Sequence, residues 1–448
     1  MTRLLFIGAA ALLAAGCDGE RSPAPEHPPQ TAPPWSDAWI VAEGTRYLDD
    51  PAFRRAALEA SLTDPSNVYS ATRLSAYGKQ TQGWDALPVW SPRVAPVDAA
   101  MTGSLARGEP IAMPSSAKSL WTGTRPESFD DWAALGRAVF YLYPLRPEVQ
   151  AAYALADPAV AESVGLAPLN DGTWPGVVAF EDVDGEAKIG ITCALCHVSV
   201  EAGVAVEGRA RRDFDYGRMR LAWHEGTGAP VTDDLAARMR SWGPGRADIT
   251  QDDDEDPVAI VDLWDVRSLR HLTQAATLTH EHPAALAIRQ ETQILHANDE
   301  RTRPPRELAF ALAIYVYSLQ TPPPTAAPSD ASARGQAVFD DACAGCHEGP
   351  TGAGTPRPAK RIGTEPTLAF GKARGTGLYR PSPLIRVADA APYLHDGSVG
   401  SLEALLGRER LEDDYQGPRG VGAVDGHRYG LGLEDDDRAD LIAYLRTR

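Results

Sequence analysis

The chain has 448 residues, more than one ordinary core supports, so it divides into two or three domains. A hydrophobic fraction of 43% is that of a globular protein, and beyond the first sixteen residues no apolar run is long enough to cross a bilayer. A formal net charge of −18 excludes a general basic surface for nucleic acid, and suits either plain solubility or a basic partner.

In chain order, residues 1–16 read as an export signal, with Arg3 in the charged region, an apolar run from Leu4 to Leu13 and small residues before Cys17. Leu13-Ala14-Ala15-Gly16-Cys17 resembles the lipobox of bacterial lipoproteins, which implies cleavage before Cys17, a lipid on that residue and a protein anchored to the membrane on the periplasmic side. Residues 17–34, rich in Pro, Glu and small side chains, cannot bury enough apolar surface to fold and read as a tether. Residues 35–125 read as an irregular N-terminal extension, with one helical segment at Asp50–Leu62 and a proline-bearing stretch around Trp84, Pro88, Trp90 and Pro92 that wraps on the domains after it.

Asp130–Tyr143 has acidic residues at its start, apolar residues at helical spacing and Pro144 just beyond its end. This helix opens a domain spanning residues 126–320, which closes with a second helix from Leu308 to Leu319. An interval of irregular sequence separates the opening helix from Cys193-Ala194-Leu195-Cys196-His197. Further on, the acid run Asp252–Asp256 could hold a hard cation such as calcium, although solvated charge runs are commoner. Residues 321–332, rich in Pro and Ala, read as a linker to a final domain at 333–448. That domain repeats the plan: Ala333–Phe339 with the same Gly-x-x-x-Phe pattern, then Cys343-Ala344-Gly345-Cys346-His347, then a closing helix at Asp435–Leu445.

The two C-x-x-C-H runs carry the chemistry. Each places two thiols one helical turn apart, so that both can form thioethers with the vinyl groups of one haem while the adjacent imidazole meets the iron. Zinc would require further Cys or His at ligand spacing, and a redox dithiol would not need His after both pairs. The remaining cysteine is Cys17, which leaves none for a structural disulfide. The expectation is a mainly α protein with two c-type cytochrome domains, two covalently bound haem c groups held by Cys193, Cys196, Cys343 and Cys346, and His197 and His347 as proximal ligands.

Tyr379-Arg380-Pro381-Ser382-Pro383-Leu384-Ile385-Arg386, leading to Ala391-Pro392-Tyr393-Leu394-His395-Asp396-Gly397-Ser398, resembles the segment after the second haem motif of bacterial di-haem cytochrome c peroxidases. Their relatives that mature methylamine dehydrogenase share the likeness and, more distantly, so do the rubber oxygenases. The resemblance implies a peroxide-reactive iron at His197 and an electron-transferring iron at His347. It departs at one point: those enzymes commonly ligate the second haem with a later methionine, yet no methionine follows Met239 here. His427, just before the last helix, and His395, in the resembling segment, are the two candidates for that sixth ligand.

The distal side of the first haem has His224, His271, His280, His282 and His296 as candidates, none at decisive spacing. Peroxide cleavage needs an acid/base near the open iron, and the resemblance points loosely to Gln290 and Glu291. Trp264 reads as packing, with electron relay between haems as the alternative. The functional expectation is reduction of hydrogen peroxide or a related oxidant with electrons from a small redox protein. The alternatives are an electron-transfer cytochrome with two six-coordinate haems, and a di-haem oxygenase of an organic substrate.

Overall fold

The computed structural model of the protein describes residues 32–248 and 256–448. The expected export signal, Cys17, nearly all of the expected tether and four residues of the acid run therefore lie outside the described residues.

The extension is far from irregular. It carries α1 (Asp37–Asp49), α2 (Pro51–Ser61), α3 (Val68–Ala76) and α4 (Ala99–Ala106). Each starts at a side-chain cap: Ser36, Asp50 with Pro51 at the first helical position, Asn67 and Asp98. The prolines do exclude helix where they cluster, and there the chain forms β1 (Arg93–Pro96) instead. Apolar faces of α1 and α2 hold Trp39, Ile40, Tyr47 and Phe53 in one cluster with Leu286, Phe310 and Ile314 of the next domain. The extension is thus half of a core, which no window of its own sequence reveals.

β1 also joins a five-stranded antiparallel sheet with β2 (Lys118–Ser119), β3 (Arg146–Pro147), β4 (Val177–Glu181) and β5 (Ala187–Ile191), in the order β2-β1-β4-β5-β3. Val94 pairs with Phe180, and β4 returns through Asp182–Glu186 to β5. The interval before Cys193, expected to be irregular, therefore holds the β4–β5 hairpin as well as α6 (Val149–Ala156) and α7 (Pro158–Ser163).

Helices dominate the rest. They are α5 (Phe129–Leu142), α8 (Ala194–His197), α9 (Tyr216–Thr227), α10 (Asp233–Trp242), α11 (Pro283–Ala297) and α12 (Arg306–Ser318), followed in the last part by α13 (Asp330–Ala342), α14 (Ala359–Ile362), α15 (Thr367–Phe370), α16 (Leu402–Leu406) and α17 (Asp435–Leu445). The expected helices recur as α2, α5, α12, α13 and α17 within a few residues.

The internal repeat is physical as well as sequential. In α5, a Cβ on Gly136 would stand inside the carbonyl oxygen of Ala311 on α12. In α13, a Cβ on Gly335 would do the same to the carbonyl oxygen of Asp440 on α17. In both halves an opening helix crosses its closing helix at a glycine, because only the missing side chain lets the two backbones approach so closely. Phe140 and Phe339, four residues on, lie buried in the adjoining cores.

The two halves are stitched together by the extension. Val68 and Tyr69 donate their backbone N–H groups to the carbonyls of Lys372 and Ala373 at 3.0 and 2.9 Å, and Asn67 Nδ2 reaches the Gly375 carbonyl at 3.0 Å. These are orphan donors at the start of α3, satisfied by a loop some three hundred residues later. Among the described residues no helix is long and apolar enough to cross a membrane.

Candidate haem sites

Cys193 caps the single turn of α8, which places Cys196 and His197 on the next turn. The motif lies against Val139, Phe140, Ile294, Leu308 and Leu312 on the crossing helices. Burial pushes the Cys193 thiol up to about 12 and the Cys196 thiol up to about 11. The second motif follows α13 directly, with Cys343 as its C-cap, and burial likewise raises that thiol to about 11. Among the described residues no group of three or more His, Cys, Asp and Glu side chains gathers where an ion could be held.

The two motif histidines are oriented in the same way. His197 Nδ1 lies 3.0 Å from the Val261 carbonyl oxygen, and His347 Nδ1 lies 2.8 Å from that of Gly352. A ring that donates Nδ1–H to a backbone carbonyl turns Nε2 outward as the ligating atom, a common arrangement for histidines bound to metal. Burial lowers both imidazoles, that of His197 to about 4, which keeps them neutral and able to ligate at pH 7.

The sixth-ligand candidates separate clearly. The His427 ring faces His347, with centroids 6.4 Å apart and planes at 71°. A centroid lies about 3.2 Å from a metal held at about 2.0 Å by a ring nitrogen, so two imidazoles on opposite sides of one iron stand roughly 6.3 Å apart. The observed separation suits that arrangement. His427 sits in left-handed backbone at φ 42°, fixed by its N–H on the Ile362 carbonyl at 2.8 Å. Its pKa falls to about 4, through burial and then the nearness of His347.

His395 is employed elsewhere. Its ring stacks on Tyr379 with centroids 4.3 Å apart, and its Nε2 lies 3.1 Å from Tyr379 Oη and 3.9 Å from the Glu365 carboxylate. Burial raises the Glu365 carboxyl, but hydrogen bonds from His395 and Thr367 outweigh it and hold the group at about 2.

A residue that sequence reasoning missed holds the His427 loop. Arg410, fully buried, donates Nε to the Leu405 carbonyl at 3.1 Å, Nη1 to Val424 at 2.6 Å, and Nη2 to both Gly426 and His427 at 2.9 and 3.0 Å. Nothing in its local sequence, Arg408-Glu409-Arg410, distinguishes it from a surface arginine.

The distal candidates of the first site are dispersed. His224 Nδ1 lies 3.2 Å from the Ala229 carbonyl, His280 Nδ1 lies 2.7 Å from Tyr317 Oη, and His282 stacks on Phe53. His296 meets the edge of Trp84 and lies 3.5 Å from Glu300, while His271 sits in the short hairpin with Thr279. Among the described histidines, none faces His197 as His427 faces His347. Trp264 is buried with its Nε1 on the Glu207 carbonyl at 3.0 Å and with Arg386 over its ring.

Glu291 is engaged by three side chains. Its Oε2 accepts from Tyr47 Oη at 2.9 Å and Tyr77 Oη at 2.7 Å, and its Oε1 lies 3.2 Å from Arg306 Nε, all within the core shared with the extension. Gln290 is partly buried beside it on α11. Two residues along a helix is a rotation of about 200°, so the side of α11 opposite Glu291 carries Arg289. Arg289 is the residue whose charge is felt at Cys193 and His197.

Residues 332–448 match the cytochrome c family model. This segment is a cytochrome c domain. The match supports the family resemblance in the part of the chain that carries its most specific motif, and the cytochrome c domain contains α13, the second C-x-x-C-H run, His427 and α17. It covers about a quarter of the chain, and the first motif lies outside it. Nothing among the curated proteins matches. Among solved structures, hydrazine synthase of Kuenenia stuttgartiensis is similar at 13% identity over 56% of this chain and 98% of that one, with a TM-score of 0.32. A MauG-like protein associated with microbial copper homeostasis is similar at 18% identity over 51% and 84%, with a TM-score of 0.29. Likeness at that level defines neither fold nor activity.

Proposed function

We propose that the protein is a di-haem c-type cytochrome oxidoreductase that reduces hydrogen peroxide or a related oxidant with electrons from a small redox protein. A cytochrome c domain makes haem-based redox chemistry the general class. The observation that carries the finer reading is an asymmetry: His347 is faced by His427, whereas no described histidine faces His197. That difference suits one closed, electron-accepting site and one site with room for a small oxidant.

The haems, when bound, supply one-electron storage and, at an open iron, a place for the oxidant to bind. The chain's own contribution is orientation and exclusion of water. Val261 and Gly352 hold the Nδ1 protons of His197 and His347, and Arg410 holds the His427 loop. The core around Phe140, Leu308 and Leu312 keeps solvent from the first motif. The acidic surface, net −18, favours a basic donor protein. Export and anchoring through a lipid on Cys17 complete the proposal.

The test is EPR of the purified haem-loaded protein, with peroxide added at the half-reduced point. One high-spin and one low-spin ferric signal, with peroxide consumed, is the expected result. Two low-spin irons that leave peroxide untouched would establish the electron-transfer reading instead.

A further inference from the structure

Three arginines from three distant parts of the chain converge, and the charge of one of them, Arg289, is felt at the first motif. Arg73 comes from α3, Arg289 from α11, and Arg374 from the loop that α3 grips. The guanidinium carbons of Arg73 and Arg374 lie 3.3 and 5.0 Å from the centre of one ring, that of Tyr69. Arg73 Nε donates to Thr292 Oγ1 at 3.0 Å, one turn beyond Arg289 on the same side of α11. Arg73 is 2% exposed.

Among the described residues, none of the three guanidiniums has a carboxylate within ion-pair distance. Glu300 acts on Arg73, and Asp248 and Asp256 act on Arg374, only from further away. Burial and mutual repulsion pull Arg73 down to about 9 and Arg374 to about 10. Gathering three like charges in a poorly solvated place is unfavourable unless an anion completes the group. Guanidinium forks match carboxylate oxygens in pairs.

We propose that Arg73, Arg289 and Arg374 form one carboxylate-binding site beside the first haem-attachment motif. Its occupant is a carboxylate from one of two sources: the propionates of the haem held at Cys193 and Cys196, or a small organic acid taken from solution. The first source rests on the proposed di-haem function. The second would make the site a substrate or effector subsite next to the open iron.

The experiment uses the haem-loaded protein, with haem content fixed first by mass. Arg289→Gln and Arg374→Gln are compared with Arg289→Lys and Arg374→Lys, sparing Arg73, whose bonds to Thr292 and the Tyr69 carbonyl also hold α3. Midpoint potentials of the two haems are measured by spectroelectrochemistry, the second haem serving as internal reference, and acetate, benzoate and inorganic phosphate are titrated by calorimetry. If propionates fill the site, each Gln variant lowers the potential of the first haem alone, each Lys variant largely restores it, and the free acids do not bind. If a solution carboxylate fills it, the potentials stay put, acetate or benzoate binds saturably, and the Gln variants weaken that binding at least tenfold. Unchanged potentials without acid binding, or phosphate binding more tightly than either acid, would overturn the assignment. A mass showing haem at the second motif alone would refute the first-haem reading, and acid binding would then decide this site by itself.

Discussion

The imidazoles of His347 and His427 stand 6.4 Å apart, centroid to centroid, across the space next to the second pair of cysteines. If one iron lies between them, His427→Ala converts the second haem from low-spin to a form that binds added imidazole, whereas His395→Ala leaves its spectrum unchanged. A methionine in place of His427 raises the midpoint potential, because thioether ligation favours the ferrous state. Low-temperature EPR and a redox titration of the three variants check this. Retention of the low-spin signal in His427→Ala would falsify the pairing.

Arg410 should act on the second haem without touching it. Arg410→Met leaves four carbonyls, that of Gly426 buried, without their charged donor, at a cost of about 3 kcal/mol. We expect a lower melting temperature together with a partial high-spin signal from the second haem, and a partial return of the low-spin form in Arg410→Lys. A destabilised protein with an unaltered spectrum would reduce Arg410 to a packing residue.

The glycine crossings offer a symmetrical measurement. Gly136→Ala and Gly335→Ala each push a methyl group into a carbonyl of the facing helix, so each should lose about 3 kcal/mol. Denaturant unfolding of the haem-loaded variants reads this directly, and a loss below about 1 kcal/mol in either would mean that the helices part without strain.

Glu291→Gln tests where that carboxylate works. It removes the charge that Arg306 faces and leaves one acceptor oxygen where two served, so either the two tyrosines or Arg306 lose their partner, with an expected stability loss of about 3 kcal/mol. Peroxide turnover measured well below the melting temperature should stay within about twofold of the parent, since general acid–base catalysis is worth about a hundredfold or more.

Acid should loosen the first domain through His280. Burial holds this imidazole at about 4, below its unfolded value near 6.5. Between those values the unfolded chain binds the proton and the folded one does not, so stability falls as pH drops from 6.5 to 4, by about 3 kcal/mol in all. His280→Asn should be less stable at pH 7, through the lost contact with Tyr317, yet show a shallower decline over that window in pH-dependent unfolding.

Much of this architecture was legible in the residues. The helices expected at Asp130–Tyr143 and Asp435–Leu445 fall on α5 and α17, and the C-x-x-C-H run at Cys343 falls within the cytochrome c domain. The extension was legible only in part, because Trp39 and Tyr47 become core residues against Phe310, some 260 residues away. The contacts of Glu291 were not legible for a related reason, since the tyrosines that meet it on α11 lie in the extension. His427 could be nominated from its position before the last helix, whereas Arg410 could not, since its role exists only after the loop has folded over it.

The seam between Asn67–Tyr69 and the loop at 372–375 has a consequence for biogenesis. The amide groups at the head of α3 have no permanent acceptors until a stretch more than three hundred positions downstream has been made, so the clasp closes late in vectorial synthesis. Any factor acting near Cys193 on a nascent polypeptide would meet an unlatched chain.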